Sequence, residues 1–246
     1  MNHKPLTPSE IQSALRGADA DVPAEIGGTR AEKVRRIFGE AGERQKILDI
    51  ACANGALLKP LRRQHELHGV DASESLIQKA RENGFDAKVH DLFSGPLPYE
   101  NGTFDYVLCG ETIEHHPDTD WVLFECNRIL KFDGRLVVTY PNIRTPVGIA
   151  LLLLFDMSPL HSACYRSVCF RDFTLRTMKL ALTKHGFRHI NSQGNAFYLP
   201  KLGEFGSRLA SRLPSWADQI ITVAEKVQHS RYTPDDLRTD RLIFGG

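Results

Sequence analysis

Apolar positions along this chain recur with two alternating periods. Ala31, Val34, Ile37, Phe38 and Ala41 fall at helical spacing and Gly42 follows as a stop, which predicts an amphipathic helix laid on a sheet. The run KILDIAC at 46–52 is short and apolar around a single acid, the pattern of a strand buried on both faces. A turn of small residues, Ala53-Asn54-Gly55, comes next and is expected to open a helix. Then come LHGVD at 67–71, a helix capped by Ser73 and stopped at Gly84, AKVHD at 87–91 and FDYVLCG at 104–110. A helix near 119–130, a turn at Asp133-Gly134 and RLVVTY at 135–140 continue the alternation.

After Pro141 the rhythm breaks, and it resumes with a helix at 174–185, a stop at Gly186 and FRHINSQ at 187–193. A polar excursion then leads to the last strand-like run, IITVAEKV at 220–227. Strands alternating with helices predict an α/β fold with a doubly wound, mostly parallel, seven-stranded sheet and a lid insertion after the fifth strand. The lid contains the apolar run 147–155, for which a helix packed on the sheet edge is expected; a cover for a greasy substrate or a membrane-surface contact are the other readings.

Composition narrows the class. At 246 residues with 41% hydrophobic content the chain can bury one sizeable core, so a single domain is expected. Thirty-one basic against thirty acidic residues give a net charge of +1, and no chain-wide field attracts nucleic acid or an anionic membrane, although a local basic patch stays open. The five cysteines, Cys52, Cys109, Cys126, Cys164 and Cys169, are odd in number and form no CxxC pair, which reads as reduced thiols of a cytoplasmic protein. No signal-peptide core is seen in the first twenty residues, and the run 147–155 ends at Asp156, well short of the ~20 residues of a membrane span.

In a doubly wound sheet the ligand lies outside the carboxyl ends of the strands, so the residues ending each strand matter most. The first ends in LDIACANG, with Asp49 as its acid and a turn small enough for backbone N–H groups to approach a ligand. The second ends in Asp71, placed where a carboxylate accepts hydrogen bonds from ribose hydroxyls. The third ends in His90-Asp91, and the fourth in Gly110-Glu111 followed by Thr112, Ile113, Glu114, His115 and His116. Any one of these acids alone reads as a cap or a solvated loop carboxylate; the series of four points to a shared ligand.

LDIACANG, GVDAS, HDLFSGPLPYENGTFDYVLCGETIEHHPD and RILKFDGRLVVTYPN together resemble the class I S-adenosylmethionine methyltransferases, and TLRTMKLALTKHGF downstream also fits. The resemblance implies that Asp49 and the turn Ala51, Ala53, Asn54 and Gly55 hold the methionine end, while Asp71 binds the ribose hydroxyls. Asp91 would receive the adenine amino group, Ala72, Ser73 and Leu92 would complete the cofactor site, and Gly110 and Glu111 would lie beneath the sulfonium. Glu114 and His115 would face the acceptor, His115 as the base, with Tyr140, Asn142 and His161 as substrate contacts. On this reading residues 1–44 form a helical cap, 45–142 the cofactor-binding core, 143–171 the lid and acceptor segment, 172–227 the rest of the sheet and 228–246 a tail. Ala51 and Ala53 stand where the family usually has glycine, and a positive φ at Ala53 would cost about 1 kcal/mol or more.

Methyl transfer from a sulfonium is an in-line displacement, so the protein mainly aligns the partners and excludes water. The spacing Glu111-x-x-Glu114-His115 would also allow a divalent ion on one helical turn, as in some small-RNA and quinone-biosynthetic O-methyltransferases, with His161 or Cys169 as a further ligand; the expectation is nevertheless a metal-free site. The expected acceptor is a small molecule, or a lipid- or glycan-linked metabolite, methylated on oxygen or nitrogen by a monomer or homodimer with no nucleic-acid partner. Two other readings share the strand, turn and acid pattern. A nicotinamide-dependent oxidoreductase would need a GxGxxG where this chain has Ala51-Cys52-Ala53-Asn54-Gly55, and a non-catalytic adenosylmethionine-binding protein is raised by the two alanines.

Overall fold

Every residue of β1 (Lys46–Ile50) beyond the first is buried, and the computed structural model, which describes residues 23–156, 170–199 and 203–230, places this strand at the middle of a seven-stranded sheet. The other strands are β2 (Glu66–Asp71), β3 (Asp86–Val89), β4 (Phe104–Gly110), β5 (Leu130–Pro141), β6 (Phe187–Gly194) and β9 (Gln219–Lys226), in the order β3-β2-β1-β4-β5-β9-β6. β1 to β5 pair in parallel, and β9 runs antiparallel to both β5 and β6. The chain winds outward from β1 through β2 and β3, then returns to β4 on the other side. The strand order therefore reverses between β1 and β4, where such sheets open a crevice at their carboxyl ends.

Helices cover both faces. On one face α1 (Thr29–Gly39) and α2 (Glu74–Glu82) bring Val34, Phe38, Ile77 and Ala80 onto Ile47, Leu67, Leu108 and Val137. On the other face α3 (Thr119–Ile129) and α5 (Leu175–Lys184) bring Val122, Cys126, Met178 and Leu182 onto Leu48, Val70, Val107 and Val138. The expected caps are in place. Ser73 accepts the Leu76 N–H, and Thr174 and Thr177 form a reciprocal capping box, each worth about 1 kcal/mol.

Four local expectations are corrected. The small turn after β1 opens no α-helix but a series of turns ending in a 3-10 turn, Lys59–Leu61, because Pro60 lacks the N–H that a continuing helix requires. Asp133-Gly134 is not a turn before the fifth strand. β5 runs through it as one twelve-residue strand, with Asp133 at φ 61° and a register shift against Phe104–Tyr106, as in a β-bulge. Inside the polar excursion, β7 (Phe197–Leu199) and β8 (Gly203–Phe205) pair as a small separate hairpin, followed by α6 (Ser207–Arg212).

The fourth correction concerns α4 (Pro146–Phe155), which is capped by Thr145 and started by Pro146 as its sequence suggests, yet packs only Gly148 away from solvent. Leu152, Leu153, Leu154 and Phe155 are 54%, 76%, 73% and 66% exposed. The helix is apolar on all sides, so no polar face fixes which side turns to the sheet. His161, Cys164 and Cys169 lie outside the described residues, as do half of the expected helical cap and most of the expected tail. Cys52, Cys109 and Cys126 are buried free thiols. Among the described residues no helix is long and apolar enough to cross a membrane.

Candidate active site

The carboxyl ends of β1 to β4 surround a cleft of about 200 Å³ lined by Ala51, Val70, Asp71, Ala72, His90, Asp91, Leu92, Phe93, Glu111, Thr112, His115 and His116. Its floor is made by the turn after β1, where Ala51 and Ala53 both take positive φ, 56° and 48°. For an L-residue this costs about 1 kcal/mol or more, so something must hold the conformation. Asp71 does: its Oδ2 accepts the Ala53 N–H at 2.9 Å and its Oδ1 accepts the Ser73 N–H at 2.9 Å. One carboxylate thus ties the turn after β1 to the start of α2. The Cys52 N–H adds a bond to the Val70 carbonyl at 3.0 Å.

Asn54 and Gly55 serve the shape of this turn and do not line the cleft. Asn54 accepts the Ala56 N–H through Oδ1 and donates to the Pro23 carbonyl through Nδ2. Gly55 has φ 72°, and a Cβ there would lie 2.7 Å from the Phe85 ring. Asp49 sits under the turn, 5% exposed; burial, and then the neighbouring Asp71, push its carboxyl up to about 8, so it is a neutral acid at pH 7.

The next wall follows β3. Asp91 Oδ1 accepts the Phe93 N–H at 3.0 Å, and the Phe93 ring stacks on His116 at 4.7 Å. His116 donates from Nδ1 to the Asp118 carbonyl at 2.7 Å, and burial lowers its pKa. His90 Nε2 is buried and finds no hydrogen-bond partner among the described residues, the condition of a polar atom facing a ligand site.

At the exit of β4, Glu111 takes φ 50°. Its N–H donates to the Thr139 carbonyl at 3.0 Å. Its carboxylate accepts from Thr139 Oγ1 at 3.0 Å and Gln219 Nε2 at 3.1 Å, and pairs with Arg30 Nη1 at 3.4 Å. Sequence reasoning missed Arg30, Thr139 and Gln219; they come from α1, β5 and β9, and only the sheet order brings them together. Glu114 is 2% exposed with Oε2 unpartnered among the described residues. Burial, followed by the neighbouring Glu111 carboxyl, pushes its own carboxyl up to about 8. His115 Nε2 lies 3.9 Å from Glu114 Oε1.

Among the described residues Glu111, Glu114 and His115 are not arranged as a metal-binding set. Ile113–His115 is a 3-10 turn and Glu111 is engaged by Arg30, Thr139 and Gln219, so the three side chains do not share one helical turn. Among the described residues no group of three or more His, Cys, Asp or Glu is placed to hold a metal ion. Two of the expected substrate contacts also lie elsewhere. Tyr140 is fully buried on the same side of β5 as Val138, with its hydroxyl 3.2 Å from Thr222 Oγ1. Asn142 donates to the Ala217 and Ser215 carbonyls at 2.7 and 3.2 Å.

Residues 48–138, which include the carboxyl ends of the four strands that build the cleft, match the family model described as a methyltransferase domain. A ubiquinone biosynthesis O-methyltransferase of Xanthomonas oryzae pv. oryzae is 30% identical over 151 residues, 57% of this chain. A demethylmenaquinone methyltransferase of Staphylococcus aureus is 33% identical over 112 residues, 42% of this chain. The matches span 62% and 46% of the lengths of these two relatives. Among solved structures, a SAM-dependent methyltransferase of Thermotoga maritima superposes over 80% of this chain and 89% of its own, with TM-score 0.59 and 20% identity. One of Archaeoglobus fulgidus covers 80% and 92%, with TM-score 0.57 and 20% identity. The fold is the Rossmann-like methyltransferase fold, and the segment that carries the cleft is similar to the methyltransferase domain of these proteins.

Proposed function

We propose that this chain transfers the methyl group of S-adenosylmethionine to an oxygen or nitrogen of a small-molecule acceptor, and that a ring hydroxyl of a quinone precursor is the acceptor class. The observation that carries the reading is the convergence of Ala51, Asp71, Asp91 and Glu111, from the ends of four successive strands, on one cleft. The acceptor class is supported by the names of the two curated relatives, both of which concern quinones.

The residues present fit an adenosyl group. Val70, Leu92 and Phe93 offer apolar walls for a base, and carboxylates such as Asp71 and Asp91 accept hydroxyl and amino hydrogens. When bound, the cofactor supplies an electrophilic methyl on a positively charged sulfur. The chain's own part is to orient the reactants: the stacked Phe93 and His116 form one wall of the cleft. His115, on the cleft wall, takes the proton that an acceptor hydroxyl gives up.

Isothermal titration with adenosylmethionine, adenosylhomocysteine and NADH tests the cofactor. The two adenosyl ligands should bind and NADH should not, and Asp71→Ala should weaken binding by about 10- to 100-fold, the worth of lost hydrogen bonds to a charged group. Indifference to adenosylmethionine at millimolar concentration would end the proposal. Transfer of labelled methyl to a catechol or quinol, compared with an aryl amine, then tests the acceptor class.

A further inference from the structure

The exposed helix α4 leads to an inference that stands apart from the methyl-transfer reading. Four consecutive residues, Leu152 to Phe155, are each more than half exposed, whereas soluble surfaces scatter such side chains singly. At its start the helix joins an apolar groove lined by Pro146, Val147, Phe197, Tyr198, Phe205 and Trp216. A second groove, lined by Arg144, Arg176 and Lys179 with Leu175 and Leu180, has no acid in its lining. The grooves meet at Arg144, whose guanidinium lies 4.5 Å above the Trp216 ring. The chain's near-zero net charge therefore hides a local concentration of cations on the side of the fold where α4, the largest exposed apolar run among the described residues, begins. Asp156 caps α4 and Glu204 lies on β8, but neither lines either groove.

We propose that this face docks on an anionic phospholipid bilayer, with Leu153, Leu154 and Phe155 entering the acyl boundary and Arg144, Arg176 and Lys179 lying against the headgroups. Charge selects this occupant. In a symmetric dimer the same patch meets itself, which would bring these cations toward their own copies, while anionic headgroups neutralise them. Exposure agrees: Leu152 to Phe155 leave one end of α4 apolar toward solvent, and binding to a bilayer interface scales with the apolar area that enters it. Trp216 and Tyr198 sit at the border between apolar and polar ground, where such rings concentrate at bilayer surfaces.

Vesicle sedimentation of the full chain tests this. Vesicles with about 30% phosphatidylglycerol should retain at least about tenfold more protein than pure phosphatidylcholine, and added salt should release it. Leu153→Ser/Leu154→Ser and, separately, Arg176→Gln/Lys179→Gln should each lower partition by about tenfold. Should the serine variant fail to fold, brominated lipid decides: it should quench tryptophan fluorescence in Trp121→Phe and not in Trp216→Phe. Equal binding to both vesicle types would overturn the proposal. So would concentration-dependent dimers without vesicle binding, release by millimolar glycerol phosphate at constant ionic strength, or quenching that follows Trp121.

Discussion

Replacing Glu114 by glutamine separates a neutral buried acid from a buried charge. Burial and Glu111 hold the Glu114 carboxyl up to about 8 against an ordinary 4.5. Between those values the unfolded chain is ionised there and the folded chain is not, so the folded state binds one more proton. Stability contributed by this group is therefore fully present below pH 4.5 and is lost as pH rises toward 8. The loss is at most about 1.4 kcal/mol per pH unit, or about 3 kcal/mol between pH 5 and pH 7. The amide of the glutamine variant has no proton to lose, and the similarly raised Asp49 is common to both proteins and cancels. At pH 5 the amide mimics the neutral acid but presents donors where Oε2 has no partner, a cost of about 1 kcal/mol.

The Glu114→Gln protein should thus be slightly less stable than its parent at pH 5 and more stable by about 2 kcal/mol at pH 7. Urea unfolding at pH 5, 6, 7 and 8 measures this as a midpoint difference that changes sign and spans about 1 M or more. A difference that stays flat within about 0.5 kcal/mol over that range would mean that Glu114 is already charged in the folded state. The neutral-acid reading would then be wrong.

The turn after β1 yields a pair of opposite effects two residues apart. Gly55→Ala should cost about 2 to 4 kcal/mol, from positive φ and the Phe85 clash, whereas Ala53→Gly should be neutral or stabilise by up to about 1 kcal/mol, since relief of strain exceeds the added chain entropy; thermal unfolding resolves both, at about 2 to 4 °C per kcal/mol. His115→Ala should lower kcat on a hydroxyl acceptor by about 10²- to 10⁴-fold with adenosylmethionine affinity within about threefold. A loss in cofactor affinity with kcat intact would instead make His115 a binding residue.

How much of this was legible in the sequence depended on the range of the information. A buried strand ending in an acid is a local signal, and Asp71, Asp91 and Glu111 do reach one cleft. The strained backbone at Ala53 was also legible, because an alanine in a glycine-type turn is a local conflict. Arg30, Thr139 and Gln219 were not. Their meeting at Glu111 depends on β9 running antiparallel beside β5, which no periodicity encodes. Tyr140 and Asn142 misled for a related reason: their position at and just beyond the end of the fifth strand suggested a substrate wall, but the pleat turns Tyr140 into the α3 and α5 core, and Asn142 binds carbonyls before β9. The exposure of α4 was hidden because a helix without polar positions has no amphipathic phase to read.

Strain and neutralised acids coincide at the switch point of the sheet. Of the described non-glycine residues at positive φ, Ala51 and Ala53 follow β1 and Glu111 follows β4, the two strands between which the strand order reverses. Two carboxyls held up to about 8, Asp49 and Glu114, lie behind the same strand ends. Each of these features costs stability; among the described non-glycine residues positive φ recurs only at Arg44, Asp133 and Asp156, away from the cleft lining. Local conflicts of this kind persist where surrounding structure imposes them and where a ligand gains from them. Here Asp71 imposes the turn through the Ala53 and Ser73 N–H groups and also lines the cleft, so one side chain both enforces the strained backbone and faces the cleft. The shape of the cleft and its affinity are coupled through that carboxylate, and a substitution there acts on both at once.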